Sequence, residues 1–135
     1  MDTLSVAERS EIMSRVRSKD TVPEMLVRRT VFSLGYRYRL HDRTLPGCPD
    51  LVFRGREKVI FVHGCFWHRH SGCPKARVPK SRTDFWLQKL EGNKKRDDKN
   101  VRRLRRQGWK VLTIWECQLG EPDLIIRIRR FLDRV

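Results

Sequence analysis

The chain has 135 residues, enough for one domain with a hydrophobic core and short for two. Its 31 lysines and arginines against 16 aspartates and glutamates leave a net charge of +15, which points to a polyanion as partner, nucleic acid first. A membrane is excluded as the alternative: no run nears the ~20 apolar residues of a span, and the most basic stretch, Lys94 to Arg106, has only Val101 and Leu104 where a membrane-surface helix needs a wide apolar face.

The N-terminus lacks both the basic and the apolar region of a secretory signal, so a cytosolic protein is expected. Ser5 to Arg17 reads as a helix whose few apolar positions are Val6, Ile12, Met13 and Val16. Thr21-Val22-Pro23-Glu24 opens a second helix as a capping box with proline in the first turn, and Gly35 closes it. Tyr36 to Leu40 alternates like a half-exposed strand, and Leu51–Phe53 and Val59–His63 are apolar strands joined by a hairpin at Arg54-Gly55-Arg56-Glu57. A long helix is predicted from about Asp84 to Gln107, ending at Gly108, then a strand from Trp109 to Glu116. Glu121-Pro122 starts a last helix with Leu124, Ile125, Ile128, Phe131 and Leu132 on one face. The order α-α-β-β-β-α-β-α predicts an α/β fold, a mixed sheet flanked by helices, and is similar to that of the core of type II restriction enzymes.

Chemistry concentrates where the Val59–His63 strand ends. Cys65, His70 and Cys73, with the distant Cys117, make a set of three thiolates and one imidazole, the ligands of a structural zinc ion. A set with Cys48 in place of His70 satisfies the same rule, and spacing does not choose between them. Reduced buried cysteines are the plain alternative. Pro49-Asp50 sets a carboxylate at the mouth of a strand, as a Mg²⁺ ion for phosphodiester hydrolysis requires, although Pro-Asp is also a common turn dipeptide. His63 and His68 are candidates for proton transfer, and Asp97 for orienting one of them, against its plainer reading as a solvated helical charge. Phe66 and Trp67, on a loop tied to metal ligands, suit a wedge inserted between base steps, with Trp86 a second candidate. Trp109 and Trp115 alternate within a strand and read as core.

Together, Pro49-Asp50, Ile60-Phe61-Val62-His63-Gly64-Cys65-Phe66-Trp67-His68, Arg82-Thr83-x-Phe85-Trp86, Arg96-Asp97, Gly108-Trp109 and Trp115-Glu116-Cys117 closely resemble the very short patch repair (Vsr) endonucleases, from about residue 8 to residue 119. The resemblance implies a restriction-endonuclease-like core with a structural zinc site in a single domain over 1–135. Residues 1–20 would be a DNA-contacting helix, 21–119 the nuclease core and 120–135 a C-terminal helix. It implies a cytoplasmic bacterial enzyme that nicks the strand 5′ to the thymine of a T·G mismatch left by deamination of 5-methylcytosine, using Mg²⁺. The partners implied are mismatched double-stranded DNA and proteins of mismatch repair, with the enzyme itself monomeric.

Carried over by position, Asp50 and the Val62 carbonyl resemble the Mg²⁺ ligands, and Glu24 a glutamate that reaches the hydrated metal, although the capping box explains Glu24 equally well. His68 resembles the general base, oriented by Asp97, and His63 the contact to the reacting phosphate or leaving oxygen. Cys65, His70, Cys73 and Cys117 match the zinc site; Phe66, Trp67 and Trp86 match intercalating aromatics, and Met13 an apolar residue entering from the opposite groove. Cys48 stands where the family usually has arginine, Val62 where threonine is common, and Arg69 where a further histidine can occur. The rival reading is a restriction-like endonuclease of another sequence or mismatch specificity.

Overall fold

The computed structural model describes residues 20–134. The helix expected over 5–17, with Met13, lies outside the described residues.

Helix α1 spans Val22–Ser33, with Pro23 in its first turn and Thr21 as its cap: the Glu24 N–H donates to Thr21 Oγ1 at 3.3 Å. The expected capping box is half made, because the Glu24 carboxylate turns instead to Arg28 and His41. Past the helix end, Gly35 has φ 94°, a left-handed backbone that glycine adopts without a Cβ clash.

Among the described residues four strands form one sheet in chain order: β1 (Arg39–Leu40), β2 (Leu51–Phe53), β3 (Lys58–His63) and β4 (Lys110–Trp115). The first two pairings are antiparallel and the β3–β4 pairing parallel, so the sheet is mixed, as expected. β1 is shorter than the alternation over 36–40 suggests. Only Arg39 and Leu40 find partners, in Val52 and Leu51, while Tyr36 and Tyr38 pack against the core. A short 3-10 turn, Arg54–Arg56, and Glu57 in left-handed backbone (φ 55°) make the β2–β3 connection.

β2 and β3 are buried on both faces, which is why they read as unbroken apolar runs, whereas β1 is exposed and β4 mostly half-buried. Leu51, Phe53, Ile60 and Ile114 meet Val27 and Val31 of α1 and Leu124, Ile128 and Leu132 of α3 (Leu124–Asp133). On the opposite face Val52, Val59 and Phe61 meet Val101 and Leu104 of the long helix α2 (Thr83–Arg106). Full burial of each such side chain contributes about 1.5–3 kcal/mol. α3 begins at Leu124, after a turn, and so later than Glu121-Pro122 suggested. Buried Lys58 fixes its far end by donating to the carbonyls of Phe131 (2.5 Å) and Leu132 (3.0 Å).

Parallel pairing sets His63 opposite Trp115, so the C-terminal ends of β3 and β4 share one rim of the sheet. β2 runs the other way and starts at that rim, with Asp50 just ahead of it.

Candidate active site and metal centre

From the end of β3 the chain enters a tight loop. Successive turns bond His68 N–H to Gly64 O (3.2 Å), His70 N–H to Cys65 O (2.9 Å) and Cys73 N–H to His70 O (3.3 Å). This coil faces the thiols of Cys65 and Cys73 and the His70 ring inward, and Cys117, just beyond β4, completes the cluster. All four ligand atoms lie within 4.8 Å of one another. Cys117 Sγ and His70 Nδ1 stand 3.5 Å apart, matching the edge of about 3.5 Å in a zinc tetrahedron with bonds near 2.3 and 2.0 Å. Burial pushes the Cys65 thiol up to about 12, a penalty on the thiolate that a bound dication removes. Three sulfurs and one imidazole nitrogen are a soft donor set of the kind zinc takes. Cys48 stands outside this cluster, beside Asp50, so the two sets left open by spacing resolve to the one containing His70. The His70 ring lies flat on Trp115, 4.1 Å between centroids at 8°. Trp115 is therefore half-buried packing for the ligand cluster and not the core residue that its strand alternation suggested.

Two constellations flank the end of β3. On the β2 side, Asp50 Oδ2 accepts the Val62 N–H at 2.7 Å. The N–H and C=O of one strand residue face the same neighbour, so the Val62 carbonyl also opens toward Asp50. Burial and, against the opposing Val62 bond, the nearby Glu24 carboxylate raise the Asp50 carboxyl to about 7. His41 spans the pair: its Nε2–H donates to Glu24 Oε2 at 2.8 Å and lies 3.9 Å from Asp50 Oδ1. A buried Glu24 carboxylate beside the half-buried Asp50 makes an oxygen-rich site whose mutual repulsion a divalent cation relieves, and the donor chemistry fits Mg²⁺.

On the other side, His68 Nδ1–H donates to Asp97 Oδ2 at 2.5 Å, so that Nε2 is the ring nitrogen with its lone pair available. Asp97 reaches it from the middle of α2, so the solvated-charge reading of Asp97 gives way to a partnered one. The His63 ring stacks on His68, 3.8 Å between centroids at 7°. Burial, reinforced by His68, pushes His63 down to about 3, and its buried Nδ1 has no hydrogen-bond partner among the described residues. His63 is therefore a neutral imidazole across the working pH range, suited to giving or receiving a hydrogen bond and not to carrying charge.

Phe66, Trp67, Phe85 and Trp86 form an aromatic cluster over the loop, with Phe66–Trp67 centroids at 5.1 Å and Phe66–Trp86 at 5.6 Å. Phe66 and Trp67 are half-buried, whereas Trp86 is only 6% exposed. Trp86 thus stands behind the other two and does not project alongside them. The buried Asn93 side-chain amide donates to the Trp67 carbonyl at 3.0 Å, tying the loop to α2.

His41, Asn93 and the packing role of Trp115 were missed in the sequence. A signal for His41 existed, because it follows the strand partner of Leu51 and therefore falls beside Asp50, whose carbonyl accepts the His41 N–H at 3.2 Å.

Comparison with known proteins adds an independent observation. The family model described as DNA mismatch endonuclease Vsr matches residues 1–75. The type II nicking enzyme V.XorIIP of Xanthomonas oryzae pv. oryzae is 47% identical over 133 residues, covering 98% of this chain and 97% of the relative. V.NmeAIP of Neisseria meningitidis, also named a type II nicking enzyme, is 47% identical over 118 residues, 87% of this chain and 84% of the relative. The DNA mismatch endonuclease Vsr of Escherichia coli is 42% identical over 118 residues, 87% of this chain and 75% of the relative. No described helix is long and apolar enough to cross a membrane.

Proposed function

The chain belongs to the Vsr family of DNA mismatch endonucleases, and from that premise we propose that it nicks one strand of duplex DNA 5′ to the thymine of a T·G mismatch by Mg²⁺-assisted phosphodiester hydrolysis. The observation that carries this reading is the flanking of one strand end by a carboxylate pair on one side and a carboxylate-held imidazole on the other. The sheet and its helices are read as a restriction-endonuclease-like core, and the nicking names of two relatives support single-strand cutting.

Asp50 and the Val62 carbonyl would hold Mg²⁺, with Glu24 reaching it through water. Bound there, the ion would supply charge stabilisation for the phosphodiester reaction. His41 is a positioning residue that fixes the Glu24 carboxylate toward Asp50. His68 takes the proton of the attacking water at Nε2 while Asp97 holds Nδ1–H and steadies the imidazolium that forms. Neutral His63 offers an N–H to a phosphate oxygen or the leaving oxygen. Cys65, His70, Cys73 and Cys117 would hold a structural Zn²⁺, which would keep the loop rigid; Phe66 and Trp67 enter the base stack with Trp86 as their support. A mispaired step costs less to open than a paired one, which is how a wedge yields mismatch preference. Met13, from the N-terminal segment, enters from the other groove. The basic face of α2 binds backbone phosphates regardless of sequence. The enzyme works as a monomer in the bacterial cytoplasm, beside mismatch-repair proteins.

The discriminating experiment is metal-dependent cleavage. Asp50→Ala should abolish nicking while leaving mismatch binding nearly intact; nicking retained in Asp50→Ala would refute the site, and no Mg²⁺-dependent nicking by the unmutated protein would reduce it to a binding module.

A further inference from the structure

A groove of about 730 Å³ lies at the end of β4 opposite Trp115, and the nicking chemistry does not use it. The strand steps put its near end, at Leu112, about 10 Å and its far end, at Lys110, about 17 Å from Trp115 at the catalytic rim.

β4 is the last strand of the sheet, so one of its edges pairs with β3 and the other meets no strand among the described residues. Lys110 gives its N–H to Glu57 O at 3.0 Å, on the β3 side. With a period of two, Leu112 and Ile114 face β3 as well, and Val111 and Thr113 turn their N–H and C=O groups outward. Trp115, next in the outward series, has its N–H taken by the Gln118 side chain at 3.1 Å.

Trp109 to Leu112 line the groove consecutively. Their side chains alternate between the faces of the sheet, so one groove touches all of them only by opening on the edge itself. The helices covering the two faces wall it: Arg105 from α2 on one side, Arg127, Arg130 and Phe131 from α3 on the other. Lys110 and Arg134 add two more cations, and among the described residues no carboxylate lines the groove. Its apolar contribution comes from the half-buried Trp109, Val111, Leu112 and Phe131.

We propose that this groove receives an extended acidic segment of a partner protein, which adds to β4 as a fifth strand. Strand addition draws affinity from main-chain hydrogen bonds and specificity from flanking pockets, and both are available here. Alternating apolar and acidic residues would set the former beside Trp109 and Val111 on the α2 side and the latter on Arg127 and Arg130 on the α3 side. A nucleic acid fits less well, because phosphates only accept hydrogen bonds while the edge offers carbonyls as well as N–H groups. Residues 1–19 of this chain carry three acidic and four basic side chains and lack the required charge.

The test uses the full chain and a fluorescein-labelled peptide of about eight residues alternating valine and glutamate, followed by fluorescence anisotropy. Binding should weaken as salt rises and fall by about tenfold or more in the Arg130→Glu/Arg134→Glu double variant, whose melting temperature and nicking rate stay those of the unmutated protein. Methylating the peptide nitrogens that face β4 should abolish binding at unchanged charge. Three results would overturn the proposal: no binding of the peptide, equal binding of its methylated form, or an oligothymidylate of the same charge that binds as tightly and displaces it. A concentration-dependent dimer dissolved by the peptide would also overturn it, by making a second copy of the chain the occupant.

Discussion

Replacing Asp50 by asparagine should stabilise the magnesium-free protein at alkaline pH. Burial and, beyond it, Glu24 raise the Asp50 carboxyl from 3.8 to about 7, despite the Val62 N–H that favours the charged form. A carboxyl that holds its proton more tightly folded than unfolded contributes stability that is full below the unfolded value and lost as pH rises through the folded one. At about 1.4 kcal/mol per pKa unit, the interval from 3.8 to about 7 amounts to roughly 4 kcal/mol missing above pH 8. Asparagine keeps an acceptor for the Val62 N–H and carries no charge, so it should recover about 2–4 kcal/mol. In a chain of 135 residues that is a rise in Tm of roughly 6–12 °C. The assay is thermal unfolding followed by circular dichroism, in magnesium-free buffer without chelator so that metal on the thiolate cluster is retained. The variant's advantage should be small near pH 4, grow with pH and reach its full size by about pH 8.5, and millimolar Mg²⁺ should close the gap by stabilising only the unmutated protein. A variant that melts no higher at alkaline pH, or a gap independent of pH, would refute the account of Asp50.

His68→Ala should lower the nicking rate on the order of 10²–10⁴-fold, and Asp97→Asn should reproduce part of that loss, with single-turnover rates as the measure. Near-wild-type nicking by His68→Ala would move the base to another residue. Cys117→Ala should lose the bound zinc and unfold the loop, whereas Cys48→Ala should keep one zinc per chain, as metal analysis of the purified proteins would show. Trp67→Ala should keep its fold and its affinity for matched duplex while losing preference for the mismatch; an unchanged ratio of the two affinities removes the wedge.

Much of the site was legible because its groups lie close in sequence or repeat at helical or strand spacing. Cys65, His70 and Cys73 share one short loop, and the apolar runs that became β2 and β3 announced strands buried on both faces. What depended on long-range register was not legible. His41 joins Glu24 only because β1 pairs with β2 as it does, and β1 itself shrank because Tyr36 and Tyr38 gain more from the core than from strand pairing. Trp115 kept its strand alternation, but the face it occupies was already taken by the His70 ring. Trp86 sits at the start of a basic helix, and nothing local reveals that Phe66 and Trp67 fold over it. Glu24 satisfied a capping-box pattern that tertiary contacts with His41 and Arg28 displaced.

The most direct test of the central claim maps the nick on end-labelled duplexes that carry each mismatch in varied contexts, with Mg²⁺ present or withheld. One Mg²⁺-dependent break immediately 5′ to the thymine of T·G, with the guanine strand intact, is the predicted result. Breaks in both strands, or equal breakage of matched duplex, would contradict it.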